Sequence, residues 1–216
     1  MRKMATELAA GTHQARSAKD ERRDAIISIG EESFVQNGFA GTSMSAIAAR
    51  LGGSKGTLYN YFKSKEEFFI AVIEKKCAQI QSILTETEIE SGADFRSALA
   101  KIGERFLELL LTDESISTHR LATAESERFP AIGRAIYESG VQPNQRRMRA
   151  FLEHAKIEGQ LRSDADTAVA AEQFFDLCLS GVHRRRLWNV TRQPSKHEIR
   201  TTVANAVSTF MRAFGA

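Results

Sequence analysis

Two adjacent glycines, Gly52 and Gly53, divide the stretch 42–65 into two short helical patterns, and that division constrains the chain more than any other feature. Ahead of them, Ser43 is a good N-cap for a helix whose apolar residues Met44, Ile47, Ala48 and Leu51 recur at the i, i+3, i+4, i+7 spacing of one buried stripe. After them, Ser54 caps a second helix of about two turns, in which Leu58 and Phe62 at i, i+4 face a core. Lys55, Thr57, Tyr59, Asn60 and Tyr61 are left facing outward. The pattern is that of a helix-turn-helix.

The outward set suits DNA. Lys55 has the reach for a phosphate or a guanine edge, Gly56 lets backbone approach a groove, Thr57 offers a methyl and a hydroxyl, and tyrosine hydroxyls bond phosphate oxygens. Ser64 with Glu67 three residues on forms a capping box that opens the next helix at Lys65, so a helix N-terminus and a cation both favour phosphate there. The candidate DNA-binding residues are therefore Thr42, Ser43, Ser45, Ser54, Lys55, Gly56, Thr57, Tyr59, Asn60, Tyr61 and Lys65. Charge agrees: residues 1–65 hold ten Lys/Arg against six Asp/Glu, whereas residues 66–216 hold twenty against twenty-one. The cationic excess lies where attraction to a polyanion requires it.

Only three prolines and no alternating Val/Ile/Thr runs predict an all-α chain of about nine to ten helices. No apolar run approaches the roughly 20 residues of a membrane span, and the start lacks the apolar region of a signal peptide, so a soluble, cytoplasmic protein without membrane partners is expected. Cys77 and Cys178 read as reduced, buried thiols, with redox sensing as the lesser alternative. The five histidines have no metal-site spacing, and no phosphate loop or nucleophile elbow is present. No catalytic residue, metal or cofactor is expected, and the chain is read as not an enzyme.

In chain order, residues 1–18 read as a mobile basic tail that could follow a groove. A helix over about 19–37 buries Ile26, Ile27, Ile29 and Phe34, stops at Gly38 and is weakened on its inner face by Gly30 and Ser33; Phe39 plugs the corner beyond it. The helix opened at Ser64 meets no breaker until Ser91-Gly92, so about 25 residues form a lever into the rest of the chain. Further helices are predicted at about 94–111, 114–127, 131–139 and 144–158, with Gly140 and Pro143 breaking the run between the last two. One helix is expected over 165–188, and a final one, opened by the capping box Ser195/Glu198, reaches Phe214. The clusters Arg146, Arg147, Arg149 and Arg184, Arg185, Arg186 read as solvated helix faces.

Gly38-Phe39, Thr42-Ser43-Met44, Ile47-Ala48, Leu51-Gly52, Ser54-Lys55-Gly56-Thr57-Leu58-Tyr59, Tyr61-Phe62 and Lys63-Ser64-Lys65-Glu66 resemble the amino-terminal DNA-binding domain of the tetracycline-repressor (TetR) family, over about residues 22–73. Gly53 stands where the family generally has an apolar residue and Ala46 where it often has an acidic one. The stretch from Thr118-His119-Arg120-Leu121 through Phe129-Pro130 to Gly159-Gln160-Leu161 more loosely resembles one branch of the family's ligand-binding domains. The resemblance implies a DNA-binding domain at 19–65, a helical regulatory and dimerisation domain at 66–216, and a regulator, most often a repressor, that binds a palindromic double-stranded operator as a homodimer and is released by a small effector.

The helix at 165–188 is apolar on two faces, one carrying Phe175, Leu179 and Val182, the other Phe174, Leu177, Cys178 and Trp188. One face needs a partner. With Val203, Val207 and Phe210 of the final helix, Phe175, Leu179 and Val182 are the expected dimer interface, a four-helix bundle of the kind the family uses. An effector pocket is expected beside the lever, lined by Phe106, Leu110, His119, Leu121, Tyr137, Phe151 and Phe174. Two other readings stay open: an effector-independent nucleoid or division-linked DNA-binding factor, and a helical enzyme whose hairpin imitates the motif.

Overall fold

The computed structural model describes residues 18–86 and 94–216, which are almost wholly helical. Helix α1 (Ala18–Gly41) is interrupted at Gly38, whose φ of 71° lets the chain turn where a side chain would be strained. Phe39 swings into the corner so made, its ring centroid 5.8 Å from Phe34 and 5.5 Å from Phe69. α2 (Met44–Arg50) and α3 (Lys55–Tyr59) start at Ser43 and Ser54, whose hydroxyls accept from the Ala46 and Thr57 amides. The turn between them passes through Gly52 at φ 62°. α4 (Lys65–Glu86) begins where Ser64 Oγ accepts from the Glu67 amide at 3.1 Å and Glu67 accepts from the Lys63 amide at 2.7 Å. The tail at 1–17 and the Ser91-Gly92 stop lie outside the described residues.

Then follow α5 (Phe95–Leu110), α6 (Asp113–Glu125), α7 (Pro130–Ile136), α8 (Gln142–Ile157), α9 (Thr167–Leu179), α10 (Val182–Leu187) and α11 (Lys196–Phe214). The expected break at Gly140 and Pro143 is absent. Instead a π-helical segment, Tyr137–Val141, joins α7 to α8, and Pro143 sits in the first turn of α8, where the Ser139 carbonyl four residues before it accepts from the Gln81 side chain. Gly140 lies so close to α4 that a Cβ would stand 2.9 Å from Cys77 Sγ. Conversely, the single helix expected at 165–188 is two: Gly181, at φ 75°, separates α9 from α10. The Ser195/Glu198 capping box forms at the start of α11 as expected.

Two apolar cores result. The first joins Ile26, Phe34, Phe39, Ile47, Leu58, Phe62, Phe68 and Phe69 and extends to Ala122 of α6 and to Ile132 and Ala135 of α7. Gly30 and Ser33, expected to weaken α1, serve it. A Cβ at Gly30 would lie 2.2 Å from the Phe68 ring, so its absence admits that ring, while the Ser33 hydroxyl accepts from Arg50 at 2.7 Å. The second core unites α5, α8, α9 and α11 around Leu99, Ile102, Leu152, Phe174, Cys178, Val203 and Phe210. Gly103 allows the closest approach there, since a Cβ would meet Val203 Cγ1 at 2.8 Å. α6 is tied to the C-terminal end of α10 from its middle and from its first residue. Arg120 donates to the Leu187 and Arg186 carbonyls at 2.6 and 2.5 Å, and the buried Arg186 pairs with Asp113. Among the described residues no helix is long and apolar enough to cross a membrane.

Candidate nucleic-acid interface and the cavity behind it

Burying Leu58 at 1% exposure turns the opposite face of α3 to solvent, and Lys55, Gly56, Thr57, Tyr59 and Asn60 lie there exposed. Lys55 Nζ stands 6.0 Å over the Tyr59 ring, which holds cation and phenol side by side. Nothing lies within 3.6 Å of a Cβ added at Gly56, so the backbone there is open to close approach from outside. Ser43 and Ser45 are exposed at the start of α2, and Lys63, which the candidate set omitted, is exposed just beyond α3.

Three candidates have structural duties instead. Thr42 is 4% exposed, and its hydroxyl, 2.7 Å from the Gly38 carbonyl and 3.1 Å from that of Ser33, donates within the protein; it closes the end of α1 and has no face for DNA. Ser54 and Thr57 hydroxyls lie 3.0 Å apart, and Ser54 Oγ also caps α3, so the serine acts by shaping the helix start. Lys65 is half-buried: its ammonium donates to the Phe39 carbonyl at 2.7 Å and lies 4.4 Å over the Phe39 ring. Tyr61 is half-buried against the Phe62 ring.

Behind this surface, a cavity of about 250 Å³ opens between α4, α5, α6, the π segment, α8 and α9. Of the expected lining, Phe106, Leu110 and His119 are there; Leu121, Tyr137, Phe151 and Phe174 are not. Leu121 packs on the first core, Tyr137 is 52% exposed, Phe151 meets Phe95 at 5.6 Å, and Phe174 is sealed edge-on against Phe210. The helix break at Gly181 brings in a residue the sequence did not flag: His183, whose Nε2 lies 3.3 Å from His119 Nδ1, the rings 5.1 Å apart and nearly parallel. Burial holds His119 below the ordinary imidazole value, and burial with the neighbouring His119 takes His183 down to about 4. Both are neutral near pH 7. Asn144 also lines the cavity; it is 7% exposed, and its Oδ1 is buried with no hydrogen-bond donor.

The proposed dimer residues are corrected as well. Val182, Val203, Val207 and Phe210 are buried within the single chain, Phe175 is 8% exposed against Phe106 on the cavity wall, and Leu179 lines the same cavity. α9 packs mainly against α8 and α11, and meets α5 where Phe175 lies on Phe106. Val169 and Trp188, 43% and 70% exposed, are the large apolar side chains left outside on α9 and at the end of α10. Neither thiol is poised for reaction: burial pushes Cys77 up to about 11 and Cys178 to about 12. Among the described residues no three His, Cys, Asp or Glu are grouped to hold a metal ion.

Comparison with known proteins places both halves. Residues 26–72 match the family described as bacterial regulatory proteins, tetR family, and residues 97–216 match the AefR-like transcriptional repressor, C-terminal domain. A TetR-family transcriptional regulator from Mesorhizobium loti superposes with a TM-score of 0.83 at 28% identity, covering 94% of this chain and 100% of that one. The flavonoid-responsive regulator FrrA is 30% identical with a TM-score of 0.74, covering 91% of this chain and 98% of that one. The transcriptional activator FasR of Mycolicibacterium smegmatis is 32% identical over 98 residues, 45% of this chain and 44% of that protein, so the chain aligns with less than half of that relative.

Proposed function

The chain belongs to the TetR family of bacterial transcriptional regulators, and from that premise we propose that it is a cytoplasmic repressor. It binds a palindromic operator as a homodimer and leaves it when a small, mostly apolar molecule enters the cavity. The observation that carries this reading is that the elements lining the cavity also build the core beneath the DNA-facing helix. α4 contributes Phe68, Phe69 and Val72 to that core and, one to three turns on, Ile73, Cys77 and Ile80 to the cavity wall. α6 presents Thr118 and His119 to the cavity and Leu121 and Ala122 to the same core. The turn after α6 then sets Phe129 5.5 Å from Phe39. A ligand that moves either helix moves the reading head, and with it the spacing between the heads of a dimer.

An open cavity with polar lining groups favours effector control over the effector-independent reading, which a filled interior would have suited. The description of the matched carboxy-terminal family supports repression. For the dimer, the surface left uncovered on α9, α10 and α11 replaces the residues first expected, with Val169, Trp188 and Ala204 on it. Trp188→Glu should move the light-scattering mass to that of one chain.

The deciding experiment is footprinting of the DNA upstream of the gene, followed by titration with wild type and with the triple variant Lys55→Ala, Thr57→Ala, Tyr59→Ala. Protection lost in the variant, at unchanged helicity, is the expected result. Equal protection by both proteins would overturn the assignment of the α3 face.

A further inference from the structure

The cavity is chemically lopsided in a way that selects among effectors, given the effector-controlled reading above. Its body is apolar, and Phe106 and Phe175, with centroids 4.8 Å apart and planes at 57°, form an aromatic wall. Charge is confined to Lys76, Glu172 and Asp176. The two acids are exposed, whereas the Lys76 ammonium is already paired with Glu31 at 2.5 Å. A carboxylate or phosphate entering here would shed water, find its one cation occupied, and pass two carboxylates.

Inside, three polar groups have capacity to spare. A neutral histidine carries one N–H and one lone pair. In the contact between His183 Nε2 and His119 Nδ1 one ring donates and the other accepts, whichever tautomers are present. Their outer nitrogens, His119 Nε2 and His183 Nδ1, then amount to one donor and one acceptor in both cases. The third group is Asn144 Oδ1, an acceptor buried without a donor. A buried carbonyl oxygen without a donor has lost its hydration with nothing in return, a deficit that a ligand hydroxyl would relieve. A volume of about 250 Å³ falls just below the usual span of ligand sites and suits two linked rings better than a long acyl chain.

We propose that the effector is an uncharged aromatic molecule bearing phenolic hydroxyls, one of which donates to Asn144 Oδ1 while the His119–His183 pair meets a second polar group. The aromatic wall supplies ring contacts, the neutral pair tolerates donor or acceptor, and the unpaired amide oxygen makes a hydroxyl preferable to an ether at the same position.

The test is calorimetry on the full chain with four probes of one shape: 4-phenylphenol, its methyl ether, 4-phenylbenzoate and 4-phenylbenzylamine. Operator binding by the same preparation is measured in parallel. The phenol should bind at least about tenfold more tightly than the ether, and both charged probes more weakly than the phenol. In Asn144→Leu, the phenol and the ether should bind alike. The wild-type series stands without that variant should it misfold. Equal binding of phenol and ether to wild type, tighter binding of either charged probe, or no binding of the phenol would overturn the assignment. If that happens while operator binding persists, only the ligand class fails. Absence of operator binding indicts the regulatory reading instead.

Discussion

The two cores share α6, which gives Ile116 to one and Ala122 to the other, but they are built to opposite tolerances. The one beneath the DNA-facing surface is an aromatic stack: Phe62 lies 4.5 Å from Phe68, Phe34 4.8 Å from Phe69, and Gly30 gives up its side chain to make room. The other, once past its sealed centre at Phe174 and Phe210, opens into a cavity holding two neutral histidines and an unpaired amide oxygen. A reader of DNA must hold a few side chains in register, and close packing does that. A half that responds to an effector, as proposed, needs a second arrangement within a few kcal/mol, and a void bordered by unfulfilled polar groups leaves room for one.

The sharpest way to break this contrast is to truncate one ring in each half. Phe68→Ala empties a fully buried site whose neighbours are rigid rings, and should cost about 3–5 kcal/mol. Phe106→Ala removes a half-buried ring from a wall already facing open space, and should cost less than about half as much. Urea denaturation followed by circular dichroism compares them; equal losses would mean the cavity half is as tightly packed as the head. A Gly30→Val variant belongs with the first, because its side chain would have to displace the Phe68 ring.

A smaller effect separates recognition from architecture within the head. Lys55→Ala should weaken operator binding by about 1–3 kcal/mol without moving Tm, since its side chain is exposed and its ammonium stands 6.0 Å over the Tyr59 ring. Lys65→Ala should lower both affinity and Tm, because the ammonium is bonded to the Phe39 carbonyl and covers the Phe39 ring. Anisotropy with labelled operator and a thermal melt on each variant check this; unchanged Tm in Lys65→Ala would return that residue to a phosphate contact alone.

The head was readable from the sequence because its signals are local. Ser43, Ser54 and Ser64 each cap the amide three residues on, and Gly38 interrupts α1 by its own backbone. The cavity half was less readable because its decisive features are relations between distant helices. Periodicity finds two apolar stripes on 165–188 but not that both are used inside one chain, Phe175 meeting Phe106 at the cavity wall and Phe174 meeting Phe210 in the core. The Gly181 break was legible in principle, since glycine after Ser180 is a C-cap signal, yet the apolar run on either side outweighed it. Thr42 misled for the converse reason: a threonine before a helix N-cap reads as a surface group, and only the fold of Ser33 and Gly38 around it shows a buried donor.

The smallest effect concerns the histidine pair, and here the sign must follow from proton counting. In the unfolded chain His119 and His183 take up protons near the ordinary imidazole value of about 6.5, whereas in the folded protein burial holds both lower, His183 to about 4. Between those values the unfolded state binds more protons, so stability is full above about pH 6.5 and declines as pH falls toward 4. Lys76, Glu172 and Asp176 line the same cavity and are common to wild type and variant, so the comparison is made as a difference between the two proteins from pH 7.5 to 5.5. Tm should fall by a few degrees across that interval in wild type, and less in His183→Gln, which removes one depressed imidazole. The head, whose described core carries no histidine, supplies the control: Lys55→Ala should retain the wild-type slope. An identical slope in His183→Gln would show that the pair is hydrated enough to titrate normally, and with that the contrast between a sealed reader and a polar-lined, water-poor sensor would fail at its weakest joint.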